Sequence, residues 1–164
     1  MNKIKNEFLK YGSNTPIFSL SGLQTYARVI DIHDGDTIKL VIKYKDEFFK
    51  FTVRINGIDT CEIDSNNIKL REKATEARNK IIKSICNKEF TTNKDLKKIL
   101  ENEVYLVQIM CHDFDKYGRL LCDIYVNLER NKISLKDILI QDKLAYEYDG
   151  GTKLSEEQQL KYFL

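Results

Sequence analysis

The chain has no tryptophan, one proline, two histidines and four cysteines among its 164 residues, and each scarcity removes an explanation. With one proline and seven glycines, no Pro/Gly-rich linker or collagen-like repeat divides it. Cys61, Cys86, Cys111 and Cys122 form no CxxC pair and no zinc-ligand spacing, so reduced thiols are expected instead of a metal ribbon or a disulfide framework. His33 and His112 are too few and too isolated for a histidine metal triad. No apolar run approaches the roughly 18 residues that span a bilayer. The start, MNKIKNEFLKYG, puts charges where a secretory leader needs a continuous apolar core, so no membrane association and an intracellular setting are the expectations. Nor is there a charge excess: 27 Lys and Arg stand against 25 Asp and Glu, net +2, far from the overall basicity that announces a nucleic-acid binder.

What is present describes one ordinary globular domain. Hydrophobic residues make up 42% and charged residues 32%, enough for a core in a chain of this length. Charge is uneven: residues 69–102 carry ten basic and five acidic side chains, residues 137–164 three and six, so one part of the surface is expected to be positive. A polar extension, 1–22, precedes a domain expected over 23–164.

Within it, YARVIDIHDGDTIKLVI reads as two strands joined at Asp34-Gly35, a dipeptide suited to tight turns. Phe49, Phe51, Val53 and Ile55 alternate with Lys50, Thr52 and Arg54, so a half-buried strand sends Arg54 to the face opposite the apolar set. Over 69–85 the period changes: Leu70, Ala74, Ala77, Ile81 and Ile85 share one helical stripe. Residues 86–102 read as an enlarged connection with a short helical piece. Val104 opens another strand; Asp115-Lys116-Tyr117-Gly118 is a turn before Leu120, Cys122, Ile124 and Val126, which alternate as a strand does. Ser134 with Asp137, and Ser155 with Gln158, mark two helix starts. This β-rich pattern with interspersed helices fits a small closed barrel decorated by helices.

The chemistry-bearing residues are dispersed but ordered. Asp36, with the parity of Ile38 and Leu40, points inward near the barrel mouth, where an unpartnered carboxylate is expensive. Asp59 follows the next strand and can approach it. Two carboxylates in one crevice call for a proton or a cation, and a hard divalent ion takes carboxylate and carbonyl oxygens, here with Thr60 adding its backbone oxygen. Arg54 and Arg119 offer guanidinium forks suited to phosphate, and Glu62 can orient or deprotonate water. Together they make a site for in-line phosphodiester hydrolysis.

Four segments, VIDIHDGDTIKL, RINGIDTCE, DKYGR and AYEY, resemble the staphylococcal nuclease (thermonuclease) family, and the likeness spans roughly Tyr26 to Tyr148. The resemblance implies a mainly β fold, a five-stranded OB-type barrel decorated by helices. It also implies calcium as cofactor and hydrolysis of DNA or RNA to ends bearing 3′-phosphate. On it, Asp36, Asp59 and the Thr60 carbonyl hold calcium, Arg54 and Arg119 stabilise the transition state, and Glu62 handles water. Tyr117, Tyr146 and Tyr148 line the nucleotide pocket, where rings stack on bases without reading sequence. Single-stranded DNA or RNA is then the partner and a monomer the expected state. Cys61 departs from the proline usual in the Asp-Thr-Pro-Glu run, freeing a φ angle that proline would fix. Two other readings stand beside this one: a non-catalytic OB-type module binding single strands, and an interaction domain using residues 86–102.

Overall fold

The computed structural model describes residues 1–90, 92–128 and 131–164. Alternating apolar residues build its strands. β1 (Gln24–Ile32), β2 (Thr37–Tyr44) and β3 (Glu47–Ile55) form a meander, and β5 (Tyr105–Phe114), β6 (Leu120–Leu128) and β7 (Asn131–Ser134) follow later; β4 (Ile58–Asp59) and β8 (Tyr146–Glu147) are a separate two-residue pair. The sheet order is β3-β2-β1-β5-β6-β7, and β3 also pairs with β6. That last pairing is parallel, with Val53 opposite Leu120 and Arg54 opposite Leu121. It closes five strands into the OB-type barrel and draws Arg54 to the seam. Leu120, Cys122, Ile124 and Val126 are all buried, as are Ile38, Leu40 and Ile42.

The alternation read over 49–55 holds in the middle, where Phe51 packs on the core between exposed Lys50 and Thr52, and fails at both ends. Val53 and Ile55 are core residues, whereas Phe49 is 42% exposed, because the β2–β3 hairpin runs to Tyr44 and Glu47, at the open end of the ladder where its outer residues lack a second layer. Conversely Arg54 is buried along with both neighbours, since strand closure covers both faces of β3 there.

The turn at Asp34-Gly35 works differently from the tight-turn expectation. Gly35 is not among the glycines with positive φ. The Asp34 carboxylate instead accepts the N–H groups of Asp36 (3.0 Å) and Thr37 (2.7 Å), a side-chain-stapled turn. Glycine is required by proximity: a Cβ at Gly35 would lie 2.7 Å from the Ala77 Cβ and 3.0 Å from the Thr60 side chain.

Among the described residues five helices decorate the barrel: α1 (Asn2–Phe8), α2 (Ile68–Cys86), α3 (Asn93–Asn102), α4 (Leu135–Gln141) and α5 (Glu156–Phe163). α2 is the helix of the 69–85 stripe; it buries Leu70, Ala74, Ala77 and Ile81, adds Ile82, and ends on left-handed Asn87. α3 lies in the enlarged 86–102 segment, of which Thr91 falls outside the described residues. Its Leu96 and Leu100 enter the main core, and Arg28 of β1 donates to the Leu100 and Glu101 carbonyls, so the segment is built into the barrel wall. Ser134 caps α4 and Ser155 with Gln158 forms a full capping box on α5. A second small core, Cys61, Leu70, Ala74, Tyr146 and Phe163, lies under the barrel mouth. At the other terminus residues 3–8 of α1 are solvent-exposed, while Phe18 packs on Tyr44 and Phe114 and Leu20 is buried. Among the described residues no helix is long and apolar enough to cross a membrane.

Candidate active site

Arg54 is the centre of the charged site. One Nη donates to Asp36 at 2.6 Å, and the other donates to Asp59 and to the Ile58 carbonyl. Asp36 arrives from the stapled turn before β2, and its second oxygen accepts the Thr37 hydroxyl at 2.8 Å. Asp59 arrives from β4, whose pairing with β8 sets Asp59 opposite Tyr146. The Tyr146 hydroxyl donates to the remaining Asp59 oxygen and accepts the Leu154 N–H at 3.2 Å. Asp36, Arg54, Asp59 and Thr60 are all buried.

One guanidinium is thus shared by two buried carboxylates, and the protonation energetics reflect it. Burial pulls Arg54 down, but Asp36 and Asp59 together outweigh it and raise its pKa, so it stays charged. Asp36 has only part of that cation: burial pushes its carboxyl up to about 7, against the opposing pull of Arg54. Burial, then the Asp59 carboxylate, raises the Tyr146 phenol, which remains a donor. Burial likewise pushes the Cys61 thiol up to about 11, so the residue in the family's proline position is an apolar packing element of the second core and not a thiolate nucleophile.

Glu62 follows at the rim, its side chain 55% exposed. A residue that sequence reasoning missed joins it: Lys153 sits 2.7 Å from Glu62 and 2.9 Å from Asp59. Burial lowers its pKa, but Glu62 and Asp59 raise it by more, and the net shift is upward. Its only sequence signal is a lysine in the DGGTK run after AYEY, a run with no strand or helix period.

Beyond Arg54 lies an open cleft of about 1120 Å³, lined by Arg119, Tyr117, Tyr146, Tyr148 and Lys153 among others. The turn before β6 carries Arg119: Gly118 takes φ +79°, a left-handed angle that suits glycine, and the Asp115 carboxylate accepts the backbone N–H groups of Tyr117 and Arg119 at 2.9 Å each. Asp115 also holds Arg119 Nε at 2.7 Å. Those hydrogen bonds overcome the upward push of partial burial and keep Asp115 below the usual carboxylate range. Arg119 lies over the Tyr117 ring and Arg54 over the Tyr148 ring, at 5.4 and 5.8 Å to centroid. Tyr117 is 71% exposed and Tyr146 is buried, so Tyr117 is open to a stacking base while the Tyr146 ring sits beneath the cleft.

Of the residues expected from the sequence, Arg54 and Arg119 line one cleft, Asp36 and Asp59 join Arg54 directly, and Glu62 joins Asp59 through Lys153. Among the described residues no group of three or more His, Cys, Asp or Glu side chains gathers as a metal site. The donor chemistry nonetheless fits a hard cation. Asp36 and Asp59 share Arg54, and Asp59 and Glu62 share Lys153, a row of carboxylate oxygens of the donor type that a hard divalent ion takes.

Across 80% of its length the chain is similar to an uncharacterised protein of Methanocaldococcus jannaschii, 27% identical over 148 residues, and the match spans 63% of that relative. Residues 52–163 match the family described as staphylococcal nuclease homologue, which takes in Arg54, Asp59, Glu62, Arg119 and the tyrosines and leaves Asp36 to the preceding hairpin. On that match over most of its length, the chain belongs to the staphylococcal nuclease family.

Proposed function

We propose that this chain is a calcium-dependent nuclease that hydrolyses phosphodiester bonds of unstructured single-stranded DNA or RNA and leaves 3′-phosphate ends. The observation that supports it is the meeting of two arginines, two buried carboxylates and a rim glutamate beside one open cleft, in a chain of this family.

The strand lies in the cleft with bases stacked on Tyr117 and Tyr148, worth about 1–3 kcal/mol per base. Tyr146 works from below, fixing Asp59 through its hydroxyl. Arg119, oriented by Asp115 through Nε, offers its Nη donors to the phosphate, and Arg54 adds the charge it carries at the cleft wall. Asp36, Asp59 and the Thr60 carbonyl would hold calcium, which supplies positive charge against the phosphoryl oxygens and makes nearby water more acidic. Glu62 accepts a proton from the attacking water as its oxygen bonds to phosphorus. The P–O5′ bond breaks in line, and the 5′ oxygen takes a proton from solvent.

The test is incubation of the purified chain with end-labelled single-stranded DNA and RNA, with calcium and with chelator. Calcium-dependent products carrying 3′-phosphate are expected. Substrates bound yet intact in every condition would overturn the nuclease reading in favour of a non-catalytic single-strand-binding module, whose motivating feature is the exposed Tyr117.

A further inference from the structure

Lys153 has no part in the chemistry just described, yet it occupies the middle of the acidic group. Its ammonium bridges Asp59 and Glu62 at 2.9 and 2.7 Å, across 91 residues of sequence from Glu62. The loop that delivers it is fastened at several points. The Tyr148 N–H donates to the Gly57 carbonyl at 3.1 Å, the Tyr148 hydroxyl donates to the Gly151 carbonyl at 2.8 Å, and the Leu154 N–H donates to the Tyr146 hydroxyl that holds Asp59. Leu154 itself packs against the second core. The backbone on both sides of Lys153 is therefore tied to the elements that present Asp59.

We propose that Lys153 is a tethered counter-cation: it shares Asp59 with the divalent ion and holds Glu62 until that ion binds, and so sets the calcium concentration at which the site becomes competent. This rests on the calcium-nuclease reading for the place of the ion. An ammonium and a divalent cation around one carboxylate repel each other, so each weakens the other's hold. The lysine side chain is 42% exposed, which screens the repulsion and gives the ammonium a path to water when displaced. Lys153 is in these terms a positioning residue for Glu62 and a competitor for Asp59. It touches no reacting atom.

The experiment is calorimetric titration of calcium into the full chain without nucleic acid, for wild type, Lys153→Met, Lys153→Gln and Lys153→Arg, with thermal melts in chelator to establish folding. Removing the charge is expected to tighten calcium binding on the order of tenfold in both neutral variants, with Lys153→Arg restoring an affinity close to wild type. Glutamine keeps a polar chain of intermediate length, so it supplies the answer if the methionine variant fails to fold. Neutral variants that bind calcium no more tightly than wild type overturn the proposal, while calcium-dependent cleavage by wild type would leave the nuclease reading standing. No calcium heat in any variant, with cleavage unaffected by chelator, overturns both the lysine's role and the metal part of that reading.

Discussion

The two sides of the barrel mouth are built on opposite principles. On the carboxylate side, Asp36, Arg54 and Asp59 are buried, come from strands or the turn that starts one, and have their charged atoms engaged with each other, with Thr37, with Tyr146 or with Lys153. On the arginine-aromatic side, Tyr117 rides on a turn held by Asp115 and Arg119 follows it directly, and Tyr117 stands mostly in solvent. A buried network of this kind couples function to stability, because removing one member strands the others in a low-dielectric site. A turn-borne residue can be removed with little effect on the fold.

The contrast is broken most sharply at Arg54. Arg54→Ala leaves Asp36 and Asp59 without their shared cation, so the protein is expected to lose about 3–5 kcal/mol of stability as well as cleavage. Urea unfolding in chelator measures it. A variant as stable as wild type would show that the two carboxylates are not held by this residue.

Arg119→Ala should separate the two quantities. Cleavage is expected to fall on the order of 10²–10³-fold, the usual loss for one transition-state donor. Thermal stability should stay within about 1 kcal/mol, since the Asp115 carboxylate keeps the backbone N–H donors of its turn when the guanidinium is removed. A single-turnover assay alongside a thermal melt reads both. Tyr117→Ala should touch neither stability nor the chemical step, and weaken single-strand affinity by about 1–3 kcal/mol, as measured by fluorescence anisotropy with calcium replaced by chelator.

A further effect is a slope. The Asp36 carboxyl is pushed up to about 7 from an ordinary 3.8, so between those values the folded state holds a proton that the unfolded state has released. Stability in chelator should therefore fall as pH rises from about 4 to about 7. Asp36→Asn, which cannot ionise, should flatten that part of the profile. An unchanged slope in the variant would assign the dependence to other groups.

Much of this was legible in sequence wherever a period or a short motif carried it. The alternation of Leu120, Cys122, Ile124 and Val126, the α2 stripe and the two serine caps are local patterns with local physical causes, and they appear as expected. The candidate site residues could be named from the sequence because the segments bearing them have characteristic spacing. What escaped was set by tertiary placement. A two-residue ladder such as β4–β8 has no period, so nothing marked Tyr146 as the partner of Asp59 in place of an open stacking surface. Gly35 looked like a conformational glycine and is a packing one, which only the approach of Ala77 and Thr60 reveals. Phe49 looked inward because alternation alone does not say where a hairpin outruns the core. Lys153 reaches Glu62 through a loop whose course depends on four separate side-chain and backbone ties, and no local pattern encodes that.

The most direct test of the account is single-turnover cleavage of a labelled single strand by wild type and Glu62→Ala in calcium, with strand binding measured in parallel for each. The account predicts 3′-phosphate products from wild type, strand binding by both proteins, and loss of cleavage in the variant alone. Cleavage by Glu62→Ala at the wild-type rate would contradict it.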